Sequence, residues 1–179
     1  NFIEGVSPRG IAVGYPERVN LCFDADTYSL ALIWENDFID ASKHWNGRGQ
    51  GFQPPLGDNV FDLVRGVPFA KLENADAAWP TAPAAEQDYR FLGYRFNSSR
   101  QPIFRYSKDR IAISDAIVPR QNEKKLASFE RTIRLQAPSP IEGLFYRAAS
   151  ASKIESVDGG FVLDGHLKLT LGAELTKSA

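Results

Sequence analysis

With 179 residues, 43% of them hydrophobic, the chain is long enough to enclose one real core and too short for two comfortable ones, so a single domain over 1–179 is expected. The 21 basic and 22 acidic residues leave a net charge of −1 and no lysine/arginine block stands out, so the field that drives binding to nucleic acid or anionic lipid is missing and nucleic acid is set aside as a partner. No apolar run approaches the length needed to span a membrane, no stretch reads as a signal peptide, and the single cysteine, Cys22, cannot form an internal disulfide.

The opening ten residues carry turn formers at Gly5, Pro8 and Gly10 and read as a lead-in rather than an element. Strand signals begin at 11–15, turn at 15–18 and resume at 19–23, where Val19, Leu21 and Phe23 alternate on one face. Residues 24–27 form a turn whose aspartates can accept backbone N–H groups, and 30–34 returns as the partner strand, which predicts a hairpin. Cys22, inside the first strand, is expected as a buried thiol acting as a small hydrophobe. Residues 37–45 place Phe38, Ala41 and Trp45 at helical spacing and predict one or two helical turns. The following 47–57, with alternating glycines and two prolines, is a loop of the kind that often walls a site.

Residues 60–64 and 67–72 are strand-like on either side of Arg65-Gly66, and 75–88, rich in Ala and Pro around Trp79-Pro80, is an excursion over the surface. Residues 90–96 and 102–106 flank the polar turn Asn97-Ser-Ser-Arg100 as a second hairpin. A short strand at 110–114 follows, with Ile111 and Ile113 on one face. Residues 126–135 set Phe129, Arg131, Ile133 and Leu135 against Glu130, Thr132 and Arg134, a long strand with mixed faces that ends at Pro138-Ser-Pro140. Segments at 143–149, 160–164 and 166–171 complete a meander, with turns at Asp158-Gly159-Gly160 and Asp164-Gly165. Short strands at such spacings, with hardly any helical period between them, predict an all-β fold: an antiparallel β-sandwich with long loops and little helix, or in its larger form a mutarotase-like supersandwich or a barrel.

The unusual residues concentrate in 34–57, which holds two of the three tryptophans, one of the two histidines, four glycines and a Pro-Pro pair. Trp34, Trp45, Phe52 and Trp79, with Arg48, Gln50 and Gln53, have the make-up of a platform on which sugar rings stack while guanidinium and amide groups bond hydroxyls. The competing assignment puts Trp34 and Trp45 in the core, since one ends a strand and the other recurs at core spacing. Arg48, framed by Gly47 and Gly49, can aim several donors at a carboxylate, a ligand or loop carbonyls. Glycosidic hydrolysis needs two carboxylates across a cleft, and Asp24, Asp26, Asp37, Asp40 and Asp58 supply the residue type, but no spacing singles out a pair. The two histidines, His44 and His166, lie too far apart to signal zinc, whereas Asp24 and Asp26 at the hairpin turn make a candidate calcium site. Neither a nucleophile elbow nor a Cys/His signature is present.

The string Pro8-Arg-Gly-Ile-Ala-Val-Gly-Tyr-Pro16, then Phe23-Asp-Ala25, Leu30-Ala-Leu-Ile-Trp34, Phe38-Ile-Asp40, His44-Trp-Asn-Gly-Arg-Gly-Gln50 and Pro54-Pro-Leu-Gly57, resembles a domain found late in very large secreted proteins of planctomycete-type bacteria. Those parents look like fusions of c-type cytochrome and dehydrogenase-like modules, and the later Phe129-Glu-Arg-Thr-Ile-Arg134 and Leu144-Phe-Tyr-Arg-Ala-Ala149 are similar to the same domain. The resemblance implies an exported protein, periplasmic or at the cell surface, tied to electron transfer or sugar oxidation. This chain has no Cys-x-x-Cys-His for covalent haem attachment. A haem c carried by the parent or a partner would therefore take an axial ligand from His44 or His166.

Methionine is absent, including at position 1, as expected for a chain processed or cut from a larger one. The leading expectation is a non-catalytic accessory domain that docks on neighbouring domains or chains of that parent and binds carbohydrate through Trp34, Trp45, Arg48, Gln50 and Gln53. The alternatives are a haem-containing unit with an axial histidine and a glycoside hydrolase using paired aspartates.

Overall fold

Val19–Asp24 is buried along its whole length, at polar and apolar positions alike. A strand can do this only when material packs on both faces of its sheet, because successive side chains point to opposite sides. The computed structural model describes residues 3, 6–40, 42, 52–63, 66–121 and 127–172. Its named strands pair antiparallel in open sheets with no closed barrel, and Ile3 and Gln53 add one isolated parallel bridge. Its strands are β1 (Gly10–Gly14), β2 (Val19–Asp24), β3 (Ser29–Glu35), β4 (Asp58–Asp62), β5 (Phe69–Lys71), β6 (Tyr89–Phe96), β7 (Pro102–Lys108), β8 (Ile111–Gln121), β9 (Ala127–Gln136), β10 (Leu144–Tyr146), β11 (Ile154–Val157), β12 (Gly160–Leu163) and β13 (Leu167–Leu169). The described chain groups into two compact units, 1–148 and 149–179.

In the first unit, a sheet in the order β1-β2-β3-β4 faces a sheet in the order β6-β7-β8-β9, and β10 pairs with β5 at their flank. The inner faces interlock through aromatic rings. Phe23 on β2 stacks on Phe104 of β7 with centroids 4.0 Å apart and planes 6° off parallel, and Tyr28 stacks on Tyr89 at 5.0 Å. Val19, Leu21, Leu30, Ile111, Ile113 and Ile117 fill the space around them. Each such buried side chain contributes about 1.5–3 kcal/mol of apolar transfer. Two hydroxyls tie the layers where their polar tips would otherwise lack partners. Tyr15 donates to the Ile117 carbonyl at 2.5 Å, and Tyr89 donates to the Phe69 carbonyl at 2.6 Å while accepting the Phe69 N–H at 3.0 Å. The opposite face of the first sheet is covered by a smaller cluster of Ile3, Val6, Cys22, Ala31, Leu32 and Trp34, which is why β2 and β3 are buried on both sides. Cys22 sits there fully buried as a free thiol, in its expected place.

The two predicted hairpins form, and polar side chains close their turns. Asp24 accepts the N–H groups of Asp26 and Thr27 in the β2–β3 turn. Asn97 accepts those of Ser99 and Gln101 in the β6–β7 turn. Two expectations differ from the structure. The helical turn over 37–45 does not begin at its predicted start, since residues 37–40 are not helical and Ile39 bridges Pro55 as an antiparallel pair; Ser42 is helical, and the remainder lies outside the described residues. The strand expected at 110–114 continues to Gln121 and pairs with β9 over its final ten residues, from Ala112↔Gln136 to Gln121↔Ala127.

The second unit is a three-stranded meander, β11-β12-β13. Its first strand escapes sequence reading because all four of its residues are exposed and show no apolar face. Gly160 is obligatory at the β11–β12 turn: its φ is +152°, and a Cβ there would lie 2.1 Å from the Leu169 carbonyl oxygen.

Candidate functional site

β3 delivers Trp34 into the second cluster, where it is 1% exposed. Its indole N–H donates to the carbonyls of Asp37 and Phe38 at 3.0 and 3.1 Å, and its ring stacks on Phe38 at 6.0 Å. Trp34 therefore organises the segment leaving β3 and offers no face for a sugar, which corrects its place in the predicted platform. Gln53 is also interior, 1% exposed and bridged to Ile3, and its Oε1 has no hydrogen-bond partner. Trp79 is half-buried against the core, donates to the Val67 carbonyl and has the Arg147 guanidinium 4.9 Å over its ring. Of the predicted aromatics Phe52 is open, at 57% exposure. Trp45, Arg48, Gln50 and His44 lie outside the described residues. Gly57 closes this segment against β3 so tightly that a Cβ would fall 1.7 Å from the Glu35 carbonyl oxygen.

The candidate calcium pair does not fit a cation. Asp24 is buried and its carboxylate already accepts four donors: the backbone N–H and hydroxyl of Ser7 at 3.0 and 2.7 Å, and the N–H groups of Asp26 and Thr27 at 2.8 and 3.4 Å. Asp26 turns instead to Arg9 at 3.2 Å. Oxygens saturated by protein donors serve a turn, not a metal. Among the described residues no three His, Cys, Asp or Glu side chains gather at metal-ligating distance. His166 is exposed in the β12–β13 turn, where its backbone N–H donates to the Leu163 carbonyl. Asp37 pairs with Arg18, and Asp58 accepts the Asn36 amide, so these aspartates also hold loops.

A buried charge pair went unread in the sequence. Asp115, fully buried on β8, accepts a two-pronged bond from Arg131 on β9, at 2.9 Å from Nε and 2.5 Å from Nη2. Burial alone would depress the Arg131 guanidinium, but the Asp115 carboxylate outweighs it and holds the guanidinium far above its ordinary range. Tyr146 lies over the same guanidinium at 5.9 Å, and the Tyr106 hydroxyl is buried beside the pair without a hydrogen-bond partner. Burial, with Asp115 assisting, pushes the Tyr106 phenol up. The one signal was Arg131 on the apolar side of an alternating strand.

Elsewhere a cleft of about 360 Å³ lies over the β7–β8 turn, where Lys71 and Lys108 both approach Asp109, at 3.8 and 3.5 Å. Besides Phe38, Phe52 and Tyr146, the exposed aromatic rings among the described residues lie on the edge strand β6. Tyr94 and Phe96 pair in register with Phe104 and Pro102, so they belong to the inner face, yet they are 50% and 62% exposed. They meet edge to face at 5.6 Å, and Tyr94 leans on the buried Phe104 at 6.2 Å. A bulge between Phe91 and Tyr94, with Gly93 at φ +86°, sets this turn of the strand.

Fold and surface together define an open antiparallel β-sandwich domain whose candidate aspartates hold turns and loops and whose exposed Tyr94–Phe96 pair sits on one edge strand. The chain belongs to the family described as domain of unknown function DUF6797, whose profile matches residues 21–115. No curated protein and no solved structure matches it.

Proposed function

We propose that this domain is a non-catalytic binding module of a larger exported electron-transfer or sugar-oxidising protein, docking on its neighbours and holding carbohydrate. The observation behind the binding role is the half-exposed Tyr94–Phe96 pair, anchored from beneath by Phe104 and bordered by the exposed Arg100 of the β6–β7 turn. Rings so fixed present apolar faces to sugar C–H groups with little left to order on binding. The exported setting rests on the resemblance in 8–57 and 129–149 alone.

The test is affinity electrophoresis of the full chain against soluble neutral glucans, xylans and mannans. Each ring contributes about 0.5–1.5 kcal/mol of stacking, so Tyr94→Ala with Phe96→Ala should weaken binding about tenfold. Thermal stability should change little, because both rings are already half in solvent. Failure of the native chain to bind any neutral glycan, or equal binding by the double variant, removes this reading.

A further inference from the structure

Strand alternation sends Tyr89, Phe104, Tyr106, Ile113 and Asp115 inward, and it sends an arginine set to the other side of the same sheet. Arg90 and Arg95 on β6, Arg105 on β7 and Arg134 on β9 are all exposed. The register gathers them. Arg105 pairs with Ser114, which pairs with Arg134, so these two arginines share one cross-strand row. Two strand spacings put their Cα atoms about 10 Å apart. Arg90 opposite Ser107 and Arg95 opposite Ile103 flank Arg105 from the adjacent strand. Between them lie Ile103, Ala112, Ser114, Ala116 and Thr132, and the exposed Leu92 separates Arg90 from Arg95 along β6.

Among the described residues, none of the four arginines takes part in an ion pair. The carboxylate these strands place on that face, Glu130, is already held by Arg120 at 2.7 Å. Four unneutralised guanidinium groups on a flat face repel one another, and an anionic partner relieves that repulsion. All four are arginine and none is lysine, which suits planar oxyanions gripped by a fork of N–H donors. The register puts hydroxyl and aliphatic groups on this face but no aromatic ring, so nucleobases would find nothing to stack on. Hydroxylated rings would find Ser107, Ser114 and Thr132.

We infer that the outer face of the β6–β9 sheet is a binding site for a linear acidic polysaccharide, whose repeated carboxylate groups are gripped by Arg90, Arg95, Arg105 and Arg134. This site lies on the opposite side of the sheet from Tyr94 and Phe96 and does not depend on them.

The full chain is titrated with polygalacturonate, with its fully methyl-esterified neutral form, with single-stranded DNA and with anionic phospholipid vesicles. Polygalacturonate should bind, the esterified polymer should not, and raised salt should weaken the complex as the screening length shrinks from about 10 Å at 0.1 M to about 3 Å at 1 M. Arg105→Gln with Arg134→Gln should lower affinity at least tenfold at unchanged thermal stability, whereas Tyr94→Ala with Phe96→Ala should leave it intact. Equal binding of the neutral polymer, no binding of polygalacturonate, or no effect of the arginine pair overturns the inference. Tighter binding to DNA or to vesicles than to polygalacturonate also overturns it.

Discussion

Asp115→Asn keeps the shape of the buried side chain and removes its charge. Arg131, whose side chain is only 16% exposed, would then keep a protonated guanidinium in the interior with no carboxylate to answer it. Breaking a buried pair from one side costs about 3–5 kcal/mol, because the remaining ion is left desolvated. Against a total stability of about 5–15 kcal/mol that is a fifth or more. At about 2–4 °C per kcal/mol for a chain of this size, the melting temperature should fall about 6–20 °C. Urea unfolding followed by tryptophan fluorescence gives the free energy, and calorimetry gives the temperature. The control is Asp115→Leu with Arg131→Met, which removes both charges; it should recover most of the loss, since paired apolar replacements are often neutral or better. A loss below about 1 kcal/mol for Asp115→Asn, or a double variant as weak as the single one, would refute the reasoning.

Alkaline pH should unfold the domain through its tyrosines. Burial, before any charge effect, raises Tyr15 from its ordinary 10.0 to about 12 and also raises Tyr28, Tyr89, Tyr106 and Tyr146. A raised folded pKa gives stability that is complete below the unfolded value and is lost as pH climbs through the folded one. Urea-derived stability should therefore hold up to pH 10 and fall between pH 10 and 12, with the other buried tyrosines adding to the loss from Tyr15, and a flat profile there would contradict the burial. Cys22, pushed up to about 12 by burial and by Asp24, should react with a thiol-specific disulfide reagent only on unfolding; labelling at the rate of a free thiol in native buffer would place it elsewhere. Gly57→Ala should cost about 1–3 kcal/mol, because the Glu35 and Asp37 carbonyls lie 1.7 and 2.8 Å from the added carbon, and unchanged urea stability would show that this approach is looser.

The hairpins were legible because local chemistry and global packing agree in them. Val19, Leu21 and Phe23 alternate towards the main core, and Asp24 and Asn97 supply the acceptors that their turns require. The far half of β8 was not legible, because it contains Asp115 and Pro119, residues that ordinarily end a strand. Each is tolerated only through β9, where Arg131 neutralises the one and Phe129 pairs with the other. Trp34 fell out of the predicted platform for a related reason: rarity marked the residue as special, but its N–H was already committed to the Asp37 and Phe38 carbonyls. The arginine face was invisible for the opposite reason. No two of Arg90, Arg95, Arg105 and Arg134 are closer than five residues in sequence, so they form no block, and only the β6–β7–β8–β9 register brings them together.

The family match ends at Asp115, midway along β8, and begins at Leu21, inside β2. Physical closure does not end there. The carboxylate of Asp115 is neutralised from β9, the Ile117 carbonyl is bonded by Tyr15 just beyond β1, and Phe129 and Ile133 of β9 pack on the main core. A chain limited to 21–115 would therefore carry an unanswered buried carboxylate, expose the β2 and β8 edges and lose one wall of the core. It should collapse without cooperative unfolding, bind a hydrophobic dye and show poorly dispersed amide resonances, while the full chain unfolds in one sharp urea transition. A sharp transition and dispersed resonances from 21–115 alone would mean that β1 and β9 are additions to a self-sufficient core, and that the Arg131–Asp115 pair serves something other than folding.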